Sequence, residues 1–116
     1  MSVTTYVQAM DSAPEVEVRP IWRNEMLLRC GEVLFHAIRY RDGLRGYLFL
    51  PDAPKRRIDV RPLGAELIES EARRIVRQGW AMLAIARRYG VRVADLVVVG
   101  GDHATTLVEI CKHGEV

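Results

Sequence analysis

Lysine, cysteine and long apolar runs are all scarce in this 116-residue chain. The two cysteines, Cys30 and Cys111, lie far apart and form no CxxC pair. Their spacing encodes neither a disulfide framework nor a thiolate metal knuckle, so two buried reduced thiols in a cytoplasmic protein are expected. No apolar run approaches the ~20 residues that cross a bilayer. Thr4, Thr5, Gln8 and Asp11 interrupt any apolar core near the N-terminus, so no signal peptide and no membrane partner are expected. Lys55 and Lys112 are the only lysines among the seventeen basic residues, and the formal net charge is only +2. Long-range attraction to nucleic acid or anionic lipid is correspondingly weak. No phosphate loop or catalytic signature is present. No internal repeat or low-complexity segment occurs, and the length suits one domain with its own core.

The stretch from Gly64 to Tyr89 carries the clearest structural signal. Ala65, Ile68, Ala72, Ile75, Val76, Gly79, Met82, Leu83 and Ala86 fall on one arc at the helical step. Glu66, Glu69, Ser70, Arg73, Arg74, Arg77, Arg87 and Arg88 stand opposite. Acidic residues come first and arginines last, as the helix dipole favours, and Glu69 with Arg73 makes an i, i+4 pair. Gly90 is placed to close the helix in a left-handed conformation. At ~1.5 Å per residue such a helix is ~39 Å long. Gly79 sits on the apolar arc, where close packing on a sheet suits it, while Trp80 projects toward the charged side as an interface anchor.

Upstream, residues 1–15 lack periodicity and read as a flexible arm, leaving 16–116 as a single globular domain. Val16 to Ile21 alternates as a strand with Pro20 at an edge. Met26 to Tyr40 is strand-rich, with a turn or bulge at Gly31-Glu32, and Asp42-Gly43 marks a hairpin. The returning strand covers Gly46 to Leu50, and a short one covers Ile58 to Arg61. Downstream, Val97, Val98 and Val99 favour a strand from Leu96 to Val99, read as central in a sheet. Residues 104–112 suit a short helix or strand, with a slight preference for the helix. The expected fold is α+β: a small antiparallel N-terminal sheet packed on one long amphipathic helix (about 64–89), then the C-terminal elements.

Four short stretches resemble known families. Ala84 to Val99 resembles a helix-turn-helix, although Leu96 to Val99 offers no polar side chains to read bases. Gly79, Ile85, Ala86, Tyr89, Gly90 and Val91 are similar to a LysM module, with Trp80 where that family has aspartate. Ala94 to Gly100 resembles the strand-to-loop passage of universal stress proteins, and Gly100-Gly101-Asp102-His103 resembles the metal-binding GGDH of arginase-like ureohydrolases, which need further ligands.

Asp102, His103, Cys111 and His113 could outline a metal site, but Cys111 and His113 are spaced unlike zinc ligands. Cys30 with His36, or Cys111 with His103, would have to meet in space to act as a nucleophile pair. No catalytic residue, metal ligand or cofactor is therefore assigned. The informative cluster is basic and aromatic. Arg39, Tyr40, Arg41, Arg45 and Tyr47 surround the Asp-Gly hairpin, Lys55, Arg56 and Arg57 fill the next loop, and Trp80 adds an anchor. The leading expectation is a non-enzymatic binding protein (a small adaptor, inhibitor or phage/plasmid accessory factor) that contacts another protein through these arginine-rich tips. The alternative is a nucleic-acid-binding protein using the same tips or the stretch at 84–99. A small enzyme or ligand-binding α/β domain comes third, and these patches are also compatible with a homodimer.

Overall fold

A computed structural model describes residues 3–99 and 107–110. Five strands form one antiparallel sheet in sequence order: β1 (Glu17–Trp22), β2 (Glu25–Cys30), β3 (Val33–Tyr40), β4 (Gly43–Phe49) and β5 (Arg56–Val60). Tight turns join the middle strands at the expected Gly31-Glu32 and at Arg41-Asp42, one residue before the expected Asp42-Gly43 because Gly43 already pairs with Tyr40, and each strand follows its neighbour without a crossover. Pro20 lies on the edge strand, and a bulge between Pro20 and Trp22 distorts that edge further. Both features discourage another strand from adding there.

The long helix forms as expected, with one turn of 3-10 helix (Ala65–Leu67) leading into α2 (Ile68–Tyr89). Ile68, Ala72, Ile75, Val76, Gly79, Met82, Leu83 and Ala86 are buried, and they meet Leu28, Val33, Phe35, Ala37, Leu44 and Leu48 from one face of the sheet. Gly79 does not break the helix. It permits close approach, because a Cβ there would stand 2.8 Å from Val33 Cγ1 and 3.1 Å from the Leu48 methyl carbons. Gly90 takes φ 64° and ψ 32°, and its N–H bonds the Ala86 and Arg87 carbonyls. That left-handed turn ends the helix where the sequence placed its stop.

Three elements differ from expectation. The stretch read as an arm contains α1 (Val3–Asp11), which packs on α2 and buries Tyr6 to 1% exposure. Two arginines expected on the charged side of the helix hold this segment and its junction with β1: Arg77 Nη2 donates to the Met10 carbonyl at 3.2 Å and Arg73 Nη1 to the Val16 carbonyl at 3.5 Å. Arg77 thereby satisfies a carbonyl at the end of a helix, which is where a cation is favoured. Secondly, β6 (Leu96–Val99) is not central in the main sheet. It pairs with β7 (Leu107–Ile110) in a separate two-stranded sheet. The main sheet reaches this unit through a side chain, since Arg56 Nη2 donates to the Val93 and Leu96 carbonyls at 3.0 and 3.2 Å. Thirdly, 107–110 is strand and not the favoured helix; the rest of 104–112 lies outside the described residues.

The strand at 96–99 removes the second helix that a helix-turn-helix at 84–99 requires. Gly79 inside an unbroken α2 likewise removes the loop of a LysM module. Gly100 to His103, Cys111 and His113 lie outside the described residues. Among the described residues no helix is long and apolar enough to cross a membrane.

Candidate interaction face

Among the described residues, no helix covers the second face of the main sheet. Strand register fixes which side chains share it, because directly opposed residues project to the same side. One row runs Trp22, Glu25, Ile38, Arg45, Asp59, and the next runs Arg19, Leu27, His36, Tyr47, Arg57. A third contains Glu17, Arg29, Leu34 and Phe49, and Tyr40 follows opposite Gly43. Four large aromatics are therefore distributed over this one pleated surface: Trp22 is 70% exposed, Tyr40 40%, Phe49 40% and Tyr47 37%. Leu27 and Leu34, half-buried, floor a trough of 290 Å³ walled by Glu17, Arg19 and Arg29.

The charges on this face are unevenly matched. Each of its three carboxylates has a side-chain partner within the face or beside it, arginine for Glu17 and Asp59 and the imidazole of His36 for Glu25. Glu17 pairs with Arg29 at 2.8 Å, and Glu25 with His36 at 3.1 Å. Asp59 receives Arg61 at 3.2 Å and Arg45 at 3.5 Å. The hydrogen bond from Arg61, with the charges of Arg61, Arg45 and Arg57 behind it, holds the Asp59 carboxyl below the usual aspartate range against a smaller desolvation effect. Arg19 and Arg57 make no hydrogen bond or ion pair among the described residues, and Lys55 Nζ lies 4.4 Å from the Tyr47 ring centroid. Arg45 likewise stacks over Tyr40 at 4.7 Å and donates to its hydroxyl at 3.3 Å. Cations over aromatic faces are held in place without losing their charge. The face thus presents exposed rings with a surplus of positive charge.

Of the expected contact residues, the structure brings Tyr40, Arg45, Tyr47, Lys55 and Arg57 together on this face. Arg41 and Arg39 stand exposed at the hairpin end, Arg39 on the opposite side of the pleat, in the row of Leu44 and Val60. Arg56 points to the helix side and is engaged with the β6 unit. Trp80 lies on α2, packed over Gly31, where a Cβ would stand 2.9 Å from its Cδ1. Trp22, Phe49, Leu27, Leu34 and Arg19 were not anticipated. The period-two sequence of each strand contains them, but only strand register puts them side by side.

Cys30 and His36 project to opposite faces, so they form no dyad. The Cys30 thiol is buried, donates to the Pro14 carbonyl at 3.5 Å and is pushed above its ordinary range by that burial, with Arg77 acting in the other direction. Among the described residues no three His, Cys, Asp or Glu side chains converge as metal ligands. Comparison with known families, curated proteins and solved structures gives no match.

Proposed function

We propose that this protein is a non-enzymatic binding module whose helix-free sheet face docks on an acidic patch of another protein. The observation that carries the reading is the set of four exposed aromatics interleaved with unpaired Arg19 and Arg57. Trp, Tyr and Arg are the side chains that most often dominate interface energetics. With strands about 4.8 Å apart and about 3.3 Å per residue, five strands around an eight-residue β3 offer roughly 19 by 26 Å. That projected area of about 500 Å² per partner, before side-chain relief, suits a small or transient interface. Glu17 and Asp59 are paired with arginines, and Arg19, Arg57 and Lys55 outnumber the remaining Glu25, so the surplus charge is positive and an acidic counterpart fits it. The formal net charge of only +2 gives little long-range pull on a phosphate chain. The reduced, buried Cys30 accords with a cytoplasmic location, which we include in the proposal.

The test is affinity capture from the cell of origin, followed by binding measurements on the recovered partner. A single stoichiometric protein is expected, with Tyr47→Ala or Arg57→Glu weakening it about tenfold or more at unchanged melting temperature. Glu69→Lys on the exposed side of α2 is expected to leave it intact. Loss of binding only in the α2 variant would overturn the choice of face. Salt-sensitive retention of random DNA without a protein partner would replace the reading with nucleic-acid binding, and sedimentation as a dimer through Tyr47 would make a second copy the occupant.

A further inference from the structure

On the helix side of the molecule, α1 and α2 flank an open cleft of 320 Å³ lined by Gln8, Ala9, Ser12, Trp80, Ala84, Ile85 and Arg88. Trp80, Ala84 and Arg88 lie four residues apart along α2, so they form one stripe on the helix. The small Ala84 leaves a gap between a large ring and a guanidinium whose backbone positions are about 12 Å apart. Ala9 and Ile85 supply an apolar base, while Gln8 and Ser12 supply a polar rim, with the Ser12 hydroxyl donating to the Gln8 carbonyl at 3.0 Å.

Arg88 differs from the other arginines of its helix. Arg73 bonds Glu69 and the Val16 carbonyl, Arg74 bonds Glu71, Arg77 bonds the Met10 carbonyl and Arg87 bonds Glu32. Arg88 has no hydrogen bond or ion pair among the described residues; its one charge contact is the neighbouring Tyr89 ring, 5.9 Å away. An exposed guanidinium that no carboxylate of the described residues engages, at one end of a cleft with an apolar base, can take a ligand carboxylate, because its planar fork matches carboxylate geometry.

We infer that the α1–α2 cleft binds a small amphipathic carboxylate, with its acid group on Arg88 and its apolar body along Ala84, Ile85 and the Trp80 ring. The size follows from the volume: at about 30 Å³ per water-sized group, 320 Å³ accommodates about ten heavy atoms. A medium-chain or arylalkyl monocarboxylate has that size. The site is separate from the open sheet face and stands or falls without it.

Octanoate is the probe, followed through the indole N–H resonances of Trp80 and Trp22 in a proton–nitrogen correlation spectrum. A saturable shift of Trp80 with Trp22 unmoved is expected below about 5 mM octanoate, with octan-1-ol at least about tenfold weaker because it lacks the charge. Arg88→Gln is expected to weaken octanoate at least about tenfold, and Ala84→Leu to abolish it by filling the gap, each at unchanged circular dichroism. An unmoved Trp80, equal shifts of both tryptophans, equal affinity for the alcohol, or an unaltered titration in Arg88→Gln would each overturn the assignment.

Discussion

Replacing Gly79 with alanine sets two effects of known sign against each other. In an ordinary helix the change gains about 1 kcal/mol, because alanine loses less backbone entropy. Here the new Cβ would stand 2.8 Å from Val33 Cγ1 and 3.1 Å from both Leu48 methyl carbons. Carbon pairs rest at about 3.5–4.0 Å, so the neighbours would have to yield by up to about 1 Å. Leu48 can turn its methyl groups, but Val33 is fully buried and β-branched, with little rotamer freedom. Overpacking of this kind costs about 1–3 kcal/mol. The predicted net effect of Gly79→Ala is therefore a loss of about 0–2 kcal/mol. Val33→Ala alone is expected to cost about 1–3 kcal/mol by leaving a void. In the double variant the new methyl fills that void, so the two changes should couple favourably by about 1 kcal/mol. Urea unfolding of the four proteins, with m held constant, measures all three quantities. A full 1 kcal/mol of stabilisation from Gly79→Ala, with no coupling to Val33, would refute the close helix–sheet contact.

Tyr6 tests the docking of α1: its buried hydroxyl has no partner among the described residues and its phenol is pushed well above the ordinary range by burial. Tyr6→Phe should hold stability or raise it by up to about 1 kcal/mol, whereas Tyr6→Ala should lose about 3 kcal/mol; no change in either would mean that α1 is undocked. Asp59 has a folded-state pKa below its unfolded value, so its contribution is present above about pH 4 and is lost as pH falls through the lowered value. Asp59→Asn should accordingly flatten the melting temperature profile below about pH 4, and an unchanged profile would contradict the Arg61 contact. In a Cys111→Ser background, Cys30 should react with iodoacetamide at about pH 8 far more slowly folded than unfolded, since burial disfavours its thiolate; equal rates would contradict its placement.

The parts of the fold legible in the sequence are those set by short-range pattern. Helix α2 has a 3.6-residue apolar arc, acids before arginines and Gly90 at its stop, all of which agree with one another. The turns at Gly31 and Asp42 likewise announced the hairpins. Helix α1 was not legible because nine residues make a marginal helix in isolation, and its stability comes from Tyr6 packing on α2. Its anchors, Arg73 and Arg77, look like solvated charges until the carbonyls of Met10 and Val16 arrive beneath them. The triple valine announced a strand at 96–99 but carried no information about its partner. The open face was only half legible. Leu27 beside Leu28, Leu34 beside Phe35, and Phe49 beside Leu48 put large side chains on both faces of a strand. Alternation then cannot tell which set is core, and only the helix covering one side decides it.

The face beneath no helix is probed most directly by site-specific photocrosslinking in cells. A photoreactive phenylalanine analogue at position 47 lies in the middle of the aromatic rows, and the same group at position 69 lies on the exposed side of α2. The account predicts one discrete protein adduct from position 47, mapping to an acidic segment of the partner, and none from position 69. Adducts from position 69 alone, or none from position 47, would contradict it.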